Sequence, residues 1–181
     1  MEFKLKTISK DGIPEAISKI ELYRFLNEPE EAESICHDIL AADPENQLAI
    51  RLLGLTLTDQ FEGRHTDRYA EAEKIFESLS DPYDLLYYRG LLLERRAKAQ
   101  IKAGVRPQIL VGSLHEAMRC FEEAEKIRPA RNDDAVLRWN RCVRLLEKLG
   151  HAPVEDKHMT VHDDDTAPIE IARRPSGRAG K

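Results

Sequence analysis

The stretch from Ala32 to Leu57 constrains the fold more than any other: a helical apolar pattern runs into the turn formers Asp43-Pro44-Glu45-Asn46 and resumes at once beyond them. Ala32, Cys36 and Ile39 share one face of the first helix. A small residue on such a face lets a second helix approach closely, and a larger one a turn away fills the neighbouring gap. Asp43 reads as the N-cap of the following helix, with Pro44 in the first turn, where its missing N–H costs nothing. Ala49, Leu52, Leu53, Thr56 and Leu57 then give that helix a wide apolar face. A chain built this way stacks helices side by side.

The unit returns downstream. Ala72, Phe76 and Leu79 precede Ser80-Asp81-Pro82, and Ala117, Phe121 and Ala124 precede Pro129. Together with the Leu53-Gly54 pair, this pattern resembles the tetratricopeptide repeat (TPR) family over about residues 13–150. The resemblance implies an all-α fold: a right-handed stack of helical hairpins with a C-terminal capping helix. The units are about 13–46, 47–81 and 82–131, with the capping helix at 132–149. Residues 1–12 form a leader that alternates weakly. Residues 151–181 carry an acidic block before a basic one and no helical period, the composition of a disordered tail.

In the first pair, Pro14 opens a helix carrying Ala16, Ile20 and Tyr23, and Asn27-Glu28-Pro29 ends it. Two insertions then break the family period of about 34 residues. The loop from Asp59 to Asp67, with Asp67 as N-cap, is longer than the period allows by about six residues. The third unit is lengthened in both arms: Leu86, Gly90, Leu93, Ala97 and Ile101 run toward a tip at Gly104 to Arg106, and the stripe before Ala117 extends back through Leu114 and Leu110. Two readings of residues 105–112 stay open. A helix from Pro107 would supply Ile109 and Leu110 as cover for Ala97 and Ile101, whereas the capping-box sequence Ser113-Leu-His-Glu116 would start the helix at Leu114. Asn132-Asp133-Asp134 caps a last helix bearing Val136, Trp139, Val143 and Leu146, which Gly150 closes.

The 181 residues are 41% hydrophobic, 34% charged and 6% aromatic, with a net charge of −5. So few aromatics argue against a large aromatic-lined cofactor cavity, and a mild acidic balance argues against wholesale nucleic-acid binding. No apolar run reaches the length of a membrane span, so a cytoplasmic protein without membrane contact is expected. Cys36, Cys120 and Cys142 each sit within a helical apolar pattern and read as buried reduced thiols.

The sequence holds no phosphate-binding glycine loop, no His-Glu-x-x-His, no paired CxxC and no Gly-x-Ser-x-Gly, so neither an enzyme nor a cofactor is expected. His65 near Asp67 has no rigid frame for acid–base work. His151, His158, His162 and Asp163–Asp165 have none for a metal.

The TPR resemblance implies that the first helix of each pair lines a concave groove. Its lining is expected to be Ile17, Glu21 and Arg24, then Arg51, Leu55 and Thr58, then Asp84, Tyr87, Leu91, Glu94 and Arg95. The function this implies is a non-enzymatic scaffold or adaptor that holds a peptide or protein segment. The carboxylate clamp of the family's chaperone-tail readers is not implied, because the matching positions hold Ile17, Glu21 and Leu55.

Two other readings accompany it. Arg131, Arg138, Arg141, Arg144 and Lys148 form a basic series on the last helix. Arg95, Arg96, Lys98, Lys102 and Arg106 form another on the long arm, and either series suits RNA, another polyanion or an acidic partner, the chain's own Asp163–Asp165 among them. Small three-repeat chaperones of bacterial secretion systems have a similar size, though no residues here single them out. Nothing in the residues names the partner.

Overall fold

The computed structural model describes residues 2–62 and 67–150. Among them are seven α-helices and no strands: α1 Ile13–Phe25, α2 Pro29–Ala42, α3 Gln47–Asp59, α4 Asp67–Glu77, α5 Pro82–Lys102, α6 Pro107–Lys126 and α7 Asp134–Lys148. A single 3-10 turn, Lys10–Gly12, leads into α1, and Ser9 caps it by accepting from the Gly12 N–H at 3.2 Å.

The punctuation is local chemistry. Asn27 adopts a positive φ of 60° after α1, and the N–H groups of Asn27 and Glu28 return to the carbonyls of Arg24 and Tyr23. This is the Schellman closure, made here by asparagine instead of glycine. Pro29 then opens α2. At the tip of the long hairpin Gly104, with φ 84°, closes α5 in the same way, its N–H and that of Val105 reaching Ile101 and Gln100. Asp81 caps α5, its Oδ1 accepting from Tyr83 and Asp84 at 2.8 and 3.1 Å.

The matching expectation at Asp43 is corrected. Residues 43–46 form a turn, Asn46 caps α3 by accepting from the Ala49 N–H at 3.0 Å, and Asp43 holds the Asn46 amide instead. The described part of α4 begins at Asp67, and what precedes it lies outside the described residues.

The two open readings of residues 105–112 resolve as the long helix. Pro107 stands at the first position of α6 and Ser113 is interior, so the capping-box sequence is not used as one. Leu110 is buried and packs into the core, but Ile109 is exposed: one position along a helix turns a side chain by about 100°, and only Leu110 shares the stripe of Leu114, Ala117 and Phe121.

Each helix packs on the one before and the one after, and the odd-numbered helices also touch in succession: α1 with α3, α3 with α5, α5 with α7. That makes α1, α3, α5 and α7 one continuous layer with α2, α4 and α6 behind it. The small and large residues expected on the even helices, Ala32, Cys36, Ile39, Ala72, Phe76, Leu79, Ala117, Phe121 and Ala124, are all buried, although α4 ends at Glu77 and Leu79 lies in the turn just beyond it, its N–H returning to the Phe76 carbonyl.

Two hairpins share a lock. A Cβ on Gly54 would meet the ring of Phe76 at 2.3 Å, and one on Gly90 would meet the ring of Phe121 at 2.8 Å. Glycine on the odd helix therefore makes room for phenylalanine on the even one.

α5 is covered on more sides than the stripe Leu86, Gly90, Leu93, Ala97 and Ile101 suggests, because it touches α3, α4, α6 and α7. Tyr83, Tyr87, Tyr88, Leu91, Leu92 and Glu94 are buried as well. Tyr88 stacks on Phe76 at 5.1 Å, and Tyr87 meets Tyr88 edge-on at 5.0 Å and Phe121 at 5.9 Å, so much of the chain's aromatic content joins α4, α5 and α6. On α7 the buried face is Ala135, Cys142 and Leu146, while Val136, Trp139 and Val143 are half-buried, a face rotated slightly from the expected one.

Candidate functional site

The layer of odd-numbered helices encloses an open groove of about 550 Å³. α1 contributes Glu21, Arg24 and Phe25. Thr58, Asp59, Phe61 and Glu62 come from the end of α3 and the turn after it, Arg95, Lys98, Ala99 and Lys102 from α5, and Arg138 from α7. Asn27 and Pro29 complete one edge.

A chain of charges ties these helices together. Arg24 donates from Nε to Asp59 Oδ2 at 2.7 Å, and Arg95 bonds the other oxygen of the same carboxylate. Arg95 also donates to the Thr58 hydroxyl at 2.6 Å, while that hydroxyl donates to the Leu55 carbonyl at 2.6 Å. One aspartate therefore joins α1, α3 and α5. Lys102 bonds Glu62 at the far edge.

Deeper in α5, Glu94 is completely buried and pairs with Lys98 at 3.4 Å and Arg138 at 3.5 Å. The Arg138 contact lacks hydrogen-bond geometry, which leaves Glu94 Oε2 without a hydrogen-bond partner. Arg138 also donates to the Tyr87 hydroxyl at 3.5 Å. Burial opposes its charge, but the hydroxyl and Glu94 outweigh burial, and its pKa is raised.

Of the lining expected from the sequence, Glu21, Arg24, Thr58 and Arg95 come together in this groove. The others do not reach it. Ile17 and Leu55 pack against the core, and Tyr87, Leu91 and Glu94 are buried. Arg51 and Asp84 stand apart from the groove; burial raises the Asp84 carboxyl, the Arg51 charge opposes it, and Asp81 adds to it.

The lining that sequence reasoning missed had a signal. Lys98, Ala99 and Lys102 continue the helical face that begins at Arg95, and Phe25 and Asp59 each adjoin a residue that was expected there.

The basic arm does not present one face. Arg96 lies over the Tyr69 ring at 4.1 Å, whereas Arg95, Lys98 and Lys102 turn to the groove and Arg106 is exposed at the tip. The series on the last helix also divides: Arg131, Arg144 and Lys148 are exposed, Arg141 is half-buried, and Arg138 is engaged by Glu94 and Tyr87. His65, His151, His158, His162 and Asp163–Asp165 lie outside the described residues.

Among the described residues no three His, Cys, Asp or Glu side chains converge to hold a metal, and no helix is long and apolar enough to cross a membrane. Cys36 and Cys142 are buried, and burial pushes both thiols up to about 12, with the nearby Glu94 adding to the effect at Cys142. No protein-family model and no curated protein matches the chain.

Proposed function

We propose that this protein is a non-enzymatic TPR-like scaffold that holds a segment of a partner protein in the groove of its odd-numbered helices, with α7 as the cap of the stack. The observation that carries this reading is the groove itself, one open concavity to which α1, α3, α5 and α7 all contribute side chains. Charge bridges fix the spacing of those helices, so the surface is formed before any ligand arrives. Its volume falls within the range of about 300–1,000 Å³ typical of ligand sites. That is room for a short stretch of chain and not for a folded domain.

The test uses exposed groove positions, because a variant of Tyr87 or Leu91 would damage the core. Proteins that co-purify with the wild-type chain are compared with those retained by a Phe25→Ser/Lys102→Glu double variant and by Ile109→Ser, a change on the exposed side of α6. The reading expects specific partners to be lost from the double variant and kept by Ile109→Ser. Retention of every partner by the double variant would refute it.

A further inference from the structure

We infer that the segment held in this groove is acidic and carries a large apolar side chain beside its carboxylates, an inference that rests on the scaffold reading above and names its partner's chemistry. The first observation is a mismatch of charge. Asp59 is shared by Arg24 and Arg95, and Glu94 is shared by Lys98 and Arg138. Each carboxylate answers two cations; with Lys102 paired to Glu62 and Glu21 counted as well, the groove keeps one net positive charge, on a chain whose net charge is −5.

The second cluster is also loosely held. Its two contacts, 3.4 and 3.5 Å, exceed the roughly 2.7–2.9 Å of a charge-assisted hydrogen bond. Ammonium and guanidinium groups carry three and five N–H donors, so Lys98 and Arg138 retain donors for an incoming carboxylate.

The third observation is apolar. Phe25 is 86% exposed at the end of α1, although it lines the groove. Phe61 and Pro29 line the groove with it. Folding has left a phenyl ring in water in the same groove as Lys98 and Arg138, whose donors are not all taken. An acidic segment with one aromatic or large aliphatic residue satisfies both.

Nucleic acid fits less well. Glu21 and Glu62 also line the groove and would repel a closely spaced run of phosphates, whereas a peptide can place its few carboxylates between them.

Selection of random twelve-residue peptides on phage against the immobilised full chain, counter-selected on Phe25→Ser, tests the inference. The expected result is enrichment of acidic peptides with a large apolar residue within about three positions of the acids, on the spacing of neighbouring side chains along an extended chain. A labelled peptide made from the enriched sequence should bind Lys102→Glu about tenfold more weakly than wild type and should weaken further as salt rises.

Phe25-dependent peptides that are neutral or basic would overturn the inference and leave the scaffold reading standing. An absence of any Phe25-dependent peptide, both on the wild-type chain and after Asp163, Asp164 and Asp165 are changed to serine, would overturn both. Acidic enrichment that appears only after Asp163, Asp164 and Asp165 are changed to serine would overturn the assignment to a separate partner and give the groove to the chain's own acidic stretch. Tighter binding of a uridine dodecamer than of the selected peptide would also overturn it, in favour of a polyanion.

Discussion

Gly54 of α3 lies against the ring of Phe76 of α4 so closely that a Cβ there would stand 2.3 Å from a ring carbon. The Phe76 ring cannot retreat, since it is buried and stacked on Tyr88. Replacing Gly54 with alanine gains helix propensity of about 1 kcal/mol but overpacks a closed site at a cost of about 1–3 kcal/mol. The expected outcome is a lower melting temperature for Gly54→Ala. Gly112 supplies the contrast: it is an exposed helical glycine with nothing within 4 Å of its Cβ position. Gly112→Ala should therefore stabilise the protein by about 0.5–1 kcal/mol. Thermal unfolding of the pair checks both signs at once.

Phe121→Ala should cost about 3–5 kcal/mol, because the ring is fully buried between Gly90 and Tyr87. Urea denaturation measures it. An unchanged midpoint would mean that α5 and α6 do not pack as described.

The pair of Glu94 and Arg138 should respond unequally to removal of its members. Arg138→Leu strands a completely buried carboxylate with only Lys98 left beside it and should destabilise by up to about 3 kcal/mol. Glu94→Leu releases two side chains, each about one-third exposed, that can turn to water, and it should cost much less. Equal losses would show that the buried charge is not the source of the penalty.

How much of this was legible in the sequence differs by feature. The helices were readable because their signals are local: a period of 3.6, a proline at the first turn of α1, α2, α5 and α6, and small residues at Ala32, Ala72 and Ala117. The Asp43 cap was misplaced because Asp-Pro starts a turn as readily as a helix, and only the Asn46 side chain decides between them. The groove was half legible. The face of each helix could be counted, but whether Tyr87 or Lys98 lines the cavity depends on how α7 and α6 cover α5, which is a long-range fact.

Burial of the thiols and phenols makes stability depend on alkaline pH. Cys36 and Cys142 rise from 9.0, and Tyr83 and Tyr88 from 10.0, each to about 12 with burial as the leading cause. The folded state then holds protons that the unfolded chain has already released. This contribution is present in full below about pH 9 and is lost as pH climbs through about 12. The melting temperature should fall steadily above pH 9, and Cys36 and Cys142 should resist a thiol reagent at pH 8 until the protein is unfolded. Rapid native labelling of either thiol would contradict their placement in the core.

Photocrosslinking reads out whether a protein segment sits in the groove of the odd-numbered helices. Benzoylphenylalanine is introduced at Phe25 in one variant and at Ile109 in another; both positions are exposed, and of the two only Phe25 lines the groove. After irradiation in the native lysate, adducts are resolved by mass spectrometry and the crosslinked peptides sequenced. A discrete adduct is expected at position 25 and none at position 109, formed through an acidic segment of the captured protein. Adducts that form at 109 and not at 25, or equally at both, would contradict it.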